Sequence, residues 1–298
     1  MKLSSKILTD LCDTAITAAK AAGQLITEYT QQSVKVDDKP GAHSLAARVV
    51  TKVDLQCEAL IINHLESTLN HFDLALLSEE SEDDRQRLNK DYFWCIDPLD
   101  GTLAFSRAQA GYAVSIALVS QDGTPQIGVV YDPTSNTLYS AIKGHGAFRN
   151  GKPWQLNCHD ANRLTIPCDH SLMAREDFNE IIQKITAKAN EQGFNEINTE
   201  QNAGAVMSAI KVLEQPAACY FKAPKPQDGG GSLWDFAATA CLFNEMGAAV
   251  CDFNGSALEL NRKESTFMNH RGVIYSSHTN LIEVVRDSLN KHPLTLPT

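Results

Sequence analysis

The chain has 298 residues, of which 43% are apolar and 21% charged, so it can bury the core of one large or two modest domains. Its net charge of −10 at pH 7 argues against binding to a nucleic-acid polymer, which depends on neutralising phosphates. No stretch approaches the roughly 20 apolar residues that cross a bilayer, so no membrane association is expected.

The first half of the chain combines two long helical patterns with short apolar runs. A helical period over residues 5–29 predicts the first helix. Acidic residues interrupt its apolar stretch, so the segment is interpreted as an amphipathic helix and not as a signal peptide. A loop or hairpin is predicted at Lys39-Pro40-Gly41, and a second helix from Thr51. Strands are predicted at 73–77, 92–96, 112–120, 127–132 and the run TLYSAI, followed by a tight hairpin at Asn150-Gly151.

The second half continues the mixture. Helices are predicted at 177–191, 232–247 and 279–292, and strands at the runs CYFKA, AAVCDF and GVIYS. Because helices and strands alternate and several strands form antiparallel hairpins, the fold class is α+β or mixed α/β. The eight cysteines are scattered singly with no Cys-x-x-Cys, which argues against a zinc site and favours the reduced thiols of a cytoplasmic protein.

Acidic residues follow two of the predicted strands and open one predicted helix. Glu79 and Glu80 follow the first strand, Asp97 and Asp100 the second, and Asp235 lies in the first turn of the helix. Strand ends and helix starts converge at one edge of a mixed sheet, where ligands usually bind. Carboxylates that meet there need a compensating cation, and ligation by oxygen alone selects Mg²⁺ before Zn²⁺.

Each of these acidic elements also has an explanation that involves no metal. The sequence DPLDG contains two good turn dipeptides. Glu80 and the acids after it fit a solvated loop, and Ser232 with Asp235 fits a helix-capping box, as Thr51 does with Asp54. Taken one at a time, the motifs leave the choice between a structural role and a metal site open.

Together, SEES, WCIDPLDGT and GGGSLWDFAATACLFNEMGAAV resemble, in this order, the inositol monophosphatase superfamily of Mg²⁺-dependent, lithium-sensitive phosphatases. Supporting matches at VTKVD, GHGAFRNG and AGAVMSAIKVLEQPAACYF extend the resemblance over most of the chain. It implies a layered α-β-α-β-α sandwich with the site between two halves. We expect an N-terminal α+β subdomain over residues 1–160 with most metal ligands, and a C-terminal α/β subdomain over 161–298 that supplies Asp235 and substrate contacts.

The resemblance also assigns roles to individual residues. Two or three Mg²⁺ ions are implied, with metal ligands Glu79, Asp97, the Leu99 carbonyl, Asp100 and Asp235. Asp54 and Thr102 match the residues that orient or activate the attacking water. Gly101 and Thr102 would offer backbone N–H groups to the substrate phosphate. Retention of this set argues against the remote alternative of a non-catalytic metal- or phosphate-binding regulatory protein.

Departures from the inositol monophosphatase pattern bear on the substrate. The segment GTLAFSRAQAG replaces the usual G-T-x-N-F-x-H, and Asp228 stands where relatives carry a Glu that binds inositol hydroxyls. The stretch ESTFMN resembles the 3'(2'),5'-bisphosphate nucleotidase branch, which we favour, with Asp228 as a substrate contact. Candidates for contacts to a second phosphate are Lys222, Lys225, His270 and Arg271. An inositol-1-monophosphatase or a sugar (bis)phosphatase is the alternative.

Two further expectations concern assembly and motion. Members of this family are often dimers, so a homodimer is among the expected states. The acidic loop at 78–84 and the loop around 35–45 are expected to act as lids that Mg²⁺ orders.

Overall fold

The computed structural model describes residues 2–33, 42–157, 162–201 and 203–289. The helices are α1 Ser5–Ser33, α2 Ala42–Phe72, α3 Thr102–Ser106, α4 His170–Met173, α5 Phe178–Glu191, α6 Ala205–Glu214, α7 Leu233–Met246 and α8 Asn280–Leu289. The strands are β1 Ala75–Ser78, β2 Tyr92–Asp100, β3 Ala113–Ser120, β4 Pro125–Asp132, β5 Thr137–Ile142, β6 Gly146–Arg149, β7 Lys152–Trp154, β8 Arg163–Pro167, β9 Glu196–Glu200, β10 Cys219–Lys222, β11 Ala249–Cys251 and β12 Val273–Ser276.

Strands β1 to β7 form a seven-stranded sheet in sequence order, with β1 parallel to β2 and the remaining neighbours antiparallel. Alternate residues of β2 face opposite sides of this sheet, as the two-residue period of a strand requires. Trp94 and Ile96 pack in a core with α1 and α2, whereas Phe93 and Cys95 pack in a core with α6 and α7. Both faces of the sheet are therefore covered by helices.

A second set of strands lies beyond α6 and α7. Strands β10, β12 and β11 form an antiparallel sheet, and β8 pairs with β9 in parallel. Tyr220 and Tyr275 from this sheet contribute to the core around α7, and Phe221 and Ile274 contribute to a core with α5 and α8. The result is a five-layer α-β-α-β-α sandwich, which confirms the fold class expected from the sequence.

The second helix begins earlier than predicted. Helix α2 starts at Ala42 rather than at Thr51. Thr51 therefore lies inside the helix, and the capping box suggested for Thr51 and Asp54 does not stand at the helix start. The loop or hairpin predicted at Lys39-Pro40-Gly41 falls outside the described residues, as does part of the proposed lid around 35–45. The parallel pair β8 and β9 and the helix α6 were not predicted.

The structure does not test the division of the chain into two subdomains that the sequence suggests. The division into residues 1–160 and 161–298 stays a prediction; the core around α7 contains residues from both parts.

Every cysteine that the structure describes is buried and unpaired. No helix among the described residues is long and apolar enough to cross a membrane.

Candidate active site

A cavity of about 390 Å³ opens where the C-terminal ends of β2 and β10 meet the N-terminal ends of α3, α6 and α7. Acidic, apolar and basic side chains all line its wall. Its lining residues include Glu79, Asp97, Leu99, Asp100, Gly101, Thr102, Leu103, Arg107, Gln109, Asp169, Met173, Gly204, Lys222 and Asp235. The cavity therefore collects most of the residues to which the sequence assigned a role.

A β-bulge explains how Asp97 and Asp100 reach the same site. Residues three apart on a regular strand point to opposite faces of the sheet. Here Asp97 pairs with Ser115 and Asp100 with Ala113, so two residues of β2 face one residue of β3. The extra residue turns the strand locally, as bulges beside active sites often do. Both aspartates are almost fully buried, and Asp97 accepts a hydrogen bond from the Leu99 N–H at 3.0 Å.

The second aspartate also accepts hydrogen bonds from helix α6. Asp100 Oδ1 accepts from the N–H of Ala205 at 3.1 Å, and Oδ2 accepts from the N–H of Val206 at 2.8 Å. These are N–H groups of the first helical turn, which have no partner within the helix. A Cβ on Gly204 would lie 2.2 Å from Asp100 Oδ2, so the absence of a side chain there permits this close approach.

The third aspartate comes from the opposite side of the cavity. Asp235 lies in the first turn of α7 and accepts a hydrogen bond from the Ser232 N–H, so the predicted capping box forms. Its carboxylate nevertheless also belongs to the acidic cluster. Asp97, Asp100 and Asp235 each offer one carboxylate oxygen, and these three oxygens lie within 4.8 Å of one another. The structural and the metal-site explanations of Asp235 are thus compatible.

Burial raises the pKa values of all three aspartates, and neighbouring carboxylates raise those of Asp97 and Asp100 further. Burial and the charge of Asp235 raise the pKa of Asp100 to about 8, and burial with the charges of Glu79 and Asp100 raises the pKa of Asp97 well above its usual range. Burial also raises the pKa of Asp235, against the opposing charge of Lys222. A cluster whose members resist ionisation in this way favours a bound cation, because the cation removes the repulsion.

Glu79, Glu80 and Asp54 extend the acidic region. Glu79 lines the cavity just past the end of β1, and burial together with the charge of Asp235 raises its pKa to about 7 although part of the side chain is exposed to the cavity. Asp54 is 5% exposed on α2, and burial together with the charge of Glu80 raises its pKa to about 7. Asp54 does not itself line the cavity, but its charge acts on Glu79.

The short helix α3 starts next to the aspartates. Gly101 adopts a left-handed conformation with φ 84°, and a Cβ there would lie 2.6 Å from the Gly111 carbonyl oxygen. Thr102, the first residue of the helix, is exposed and lines the cavity together with Leu103. Gly101 and Thr102 thus line the same cavity as the carboxylates. The resemblance assigns contacts with the substrate phosphate to these two residues.

Sequence reasoning missed Asp169, the residue that holds Lys222. The Lys222 ammonium lies 3.1 Å from Asp169 Oδ2, and both side chains are largely buried on the cavity wall. Asp169 Oδ1 accepts from the Leu172 N–H at 2.7 Å, which fixes the carboxylate at the start of α4. No motif singled out Asp169, because it follows the unpredicted strand β8 and its partner is 53 positions later in the chain.

Several predicted substrate contacts lie elsewhere. Asp228 is exposed in the loop after β10 and does not line the cavity, nor does Lys225. His270 and Arg271 both bond to Glu259, at 2.8 Å each. Of the four cations suggested for a second phosphate, Lys222 alone is among the cavity-lining residues that the structure describes.

Comparison with known proteins agrees with this arrangement. A model of the inositol monophosphatase family matches residues 8–292. The chain is 33% identical to the Nus factor SuhB of Escherichia coli K12 over 246 residues, 81% of this chain and 84% of SuhB. It is 28% identical to the 3'(2'),5'-bisphosphate nucleotidase CysQ of Escherichia coli O6:H1, over 88% of this chain and 97% of CysQ. The crystal structure of inositol monophosphatase II from Staphylococcus aureus MSSA476 has a TM-score of 0.71 at 22% identity, covering 97% of this chain and 95% of that chain.

The chain therefore belongs to the inositol monophosphatase family. It is a phosphatase of that family, an enzyme that acts on phosphate monoesters.

Proposed function

We propose that the protein is a Mg²⁺-dependent 3'(2'),5'-bisphosphate nucleotidase that transfers the substrate phosphoryl group to water. Three features support this proposal: a buried set of oxygen ligands, a helix start beside it where a phosphate can bind, and apolar side chains in the cavity wall that suit a nucleoside base. A cytoplasmic location is part of the proposal, and the buried, unpaired cysteines are consistent with it.

The residues present fit a hard divalent cation. The cluster offers carboxylate oxygens from Asp97, Asp100 and Asp235, without any histidine or cysteine among them. Ligands of this kind suit Mg²⁺ better than Zn²⁺. Burial, together with mutual repulsion, raises the pKa of Asp97 and Asp100, and a cation would bind there because it offsets both effects.

The proposed ligand sets are those that the resemblance implies. Glu79, Asp97 and the Leu99 carbonyl would hold one ion, and Asp97, Asp100 and Asp235 a second. Bound Mg²⁺ would supply positive charge that screens the phosphate from repulsion and makes water a better nucleophile at neutral pH.

The chain's own residues would position the reactants. Gly101 and Thr102 would bind phosphate oxygens at the start of α3, and the Thr102 hydroxyl would orient the attacking water. Helices α2 and α3 pack against each other, and Asp54 of α2 would accept a proton from that water. The water oxygen would form a bond to phosphorus as the phosphorus–oxygen ester bond breaks, which releases inorganic phosphate. The leaving oxygen would take a proton from solvent to become the product hydroxyl.

The observation that favours a nucleotide substrate is Leu103. It is 43% exposed, one of two large apolar side chains that stand exposed among the described residues, and it lines the cavity with Met173. An apolar surface favours the base and ribose of a nucleoside, whereas a polyol such as inositol presents hydroxyls on every carbon. Asp228, which stands where relatives carry the Glu that binds such hydroxyls, does not line the cavity.

An inositol or sugar phosphatase is the second candidate. The Lys222–Asp169 pair supports it, because an ammonium and a carboxylate side by side can donate to and accept from sugar hydroxyls. The ribose of a nucleotide could use the same pair, so this feature alone does not separate the two candidates.

The deciding experiment is Mg²⁺-dependent phosphate release from adenosine 3',5'-bisphosphate beside inositol 1-phosphate. We expect a higher kcat/KM for the nucleotide, and loss of both activities in the Asp97→Asn variant. A higher kcat/KM for the inositol ester would overturn the nucleotidase proposal in favour of the second candidate. Absence of release from any monoester by a protein that binds Mg²⁺ would contradict the phosphatase mechanism itself.

A further inference from the structure

Arg107 is a basic residue of the cavity to which neither the sequence motifs nor the proposed mechanism assigns a role. It follows the last residue of α3 and lines the same cavity as Thr102, the first residue of that helix. At about 1.5 Å per residue, the five residue steps from Thr102 to Arg107 span roughly 7.5 Å along the helix axis. A group bound near Arg107 would therefore lie several ångströms from a phosphate bound at Thr102.

The charge of Arg107 is not neutralised by a neighbour. Its guanidinium forms no ion pair with a carboxylate of the described residues. Six other arginines that the structure describes form such pairs, whereas Arg85 and Arg286 do not; the six are Arg87, Arg149, Arg163, Arg175, Arg262 and Arg271. The second cation of the cavity, Lys222, is paired with Asp169. Arg107 is thus the better placed of the two to receive an anionic group from a ligand.

The backbone around Arg107 is held in place. The Arg107 N–H donates to the Ala104 carbonyl at 3.1 Å, the Ala108 N–H to Phe105 at 2.9 Å, and the Gln109 N–H to Ala104 at 2.9 Å. Ala108 adopts a left-handed conformation with φ 51°, which is unfavourable for alanine and ends the helix at this point. A fixed backbone reduces the backbone entropy that is lost when a ligand binds to Arg107.

We propose that Arg107 binds a second phosphate group on the substrate's leaving group and so determines the preference for bisphosphorylated nucleotides. The inference rests on the proposed nucleotidase function. In adenosine 3',5'-bisphosphate the 3'-phosphate would occupy the position at Thr102, and the ribose would carry the 5'-phosphate toward Arg107. A guanidinium binds phosphate through two parallel hydrogen bonds, which a lysine cannot reproduce.

The test compares two substrates that differ only in the second phosphate, adenosine 3',5'-bisphosphate and adenosine 3'-monophosphate. The measured quantity is the selectivity ratio, kcat/KM for the bisphosphate divided by kcat/KM for the monophosphate, in the presence of Mg²⁺. We expect Arg107→Gln to lower this ratio about 10-fold to 100-fold, the usual range for hydrogen bonds to charged groups. Arg107→Lys should recover part of the loss, since it restores the charge without the paired geometry.

Arg163→Gln is the matched control, because it removes an arginine from an exposed ion pair outside the cavity. It should leave the selectivity ratio at the wild-type value. An Arg107→Gln variant that loses activity on both substrates in proportion, or that keeps the wild-type ratio, would overturn the role of Arg107 while the nucleotidase proposal stands. A wild-type ratio near one, with inositol 1-phosphate the better substrate, would overturn the proposed function and this inference with it.

Discussion

At the scale of single residues, Asp54 is the group whose protonation state bears most directly on the proposed reaction. Its carboxyl is 5% exposed, and burial with the nearby charge of Glu80 raises its pKa to about 7. A proton acceptor with such a pKa is half ionised near neutral pH, which is where general bases work best. Below that pH the carboxyl keeps its proton and cannot take one from water.

The first prediction concerns the charge that acts on Asp54. Glu80→Gln removes a negative charge close to the Asp54 carboxyl, so the pKa of Asp54 falls and the carboxyl ionises at lower pH. We expect the acid limb of the kcat/KM profile to move to lower pH, measured between about pH 5 and 9 at saturating Mg²⁺. Glu82→Gln is the control, because Glu82 is exposed in the same loop and does not act on Asp54. Equal profiles for the two variants would refute the role of Glu80.

At the scale of elements, the segment after β1 that carries the acidic residues is attached to the remainder of the fold at both ends. Near its start, the Ser81 hydroxyl donates to Glu58 of α2 at 2.9 Å. Near its end, Arg87 is 1% exposed, and its guanidinium bonds to Asp83, to Asn261 Oδ1 at 2.6 Å and to the Arg262 carbonyl at 2.9 Å. The loop that the sequence suggested to be solvated is therefore anchored, although Glu82 and Asp84 within it are exposed.

The second prediction tests this anchor. Arg87→Met leaves Asp83, the side-chain Oδ1 of Asn261 and the Arg262 carbonyl, all in partly buried residues, without the buried guanidinium that bonds to them. We expect the free energy of unfolding to fall by about 3 kcal/mol, measured by urea denaturation. Arg87→Lys should restore only part of it, because one ammonium cannot reach all three partners.

Arg163→Gln provides the comparison for an exposed pair. Arg163 and Glu196 are both more than half exposed, so solvent screens their attraction and the loss should stay below about 1 kcal/mol. Equal losses for the Arg87 and Arg163 variants would contradict the view that the segment after β1 is held by a buried network.

At the scale of the whole molecule, the acidic cluster destabilises the fold when no cation is bound. Its carboxyls keep their protons to higher pH in the folded protein than in the unfolded chain, with Glu79 at about 7 and Asp100 at about 8. The folded state therefore binds more protons than the unfolded state between about pH 4 and pH 8. By linkage, the free energy of unfolding falls as pH rises through this window.

The third prediction follows for thermal unfolding. Mg²⁺ can take the place of the bound protons, so it should raise Tm by several degrees at pH 8 and by much less at pH 5, at roughly 2 to 4 °C per kcal/mol. Differential scanning calorimetry with and without Mg²⁺ at both pH values measures the effect. Asp97→Asn should raise Tm in the absence of Mg²⁺ and reduce the increase that Mg²⁺ causes. A Mg²⁺ effect of the same size at both pH values would contradict the linkage.

The sequence by itself determined the family, most of the elements and the three clustered aspartates. Local signals carry this information, because a strand followed by acids, or a capped helix with an acid in its first turn, depends on residues close in the chain. The pattern from Asp97 to Thr102 also predicted a site at the end of β2, and the structure has a cavity there. The start of α2 and the pair β8 and β9 escaped prediction because their patterns are weak and their pairing is nonlocal.

The tertiary structure alone decided which side chains share the cavity. The bulge that brings Asp97 and Asp100 to one face arises from the pairing of β2 with β3, and the Lys222–Asp169 pair joins residues distant in the chain. Spacing counted along the sequence placed Asp228 at the site, whereas the structure leaves it on an exposed loop and brings Lys222 and Arg107 to the cavity. Contacts of this kind depend on how the layers pack, because charge and burial act through space rather than along the chain.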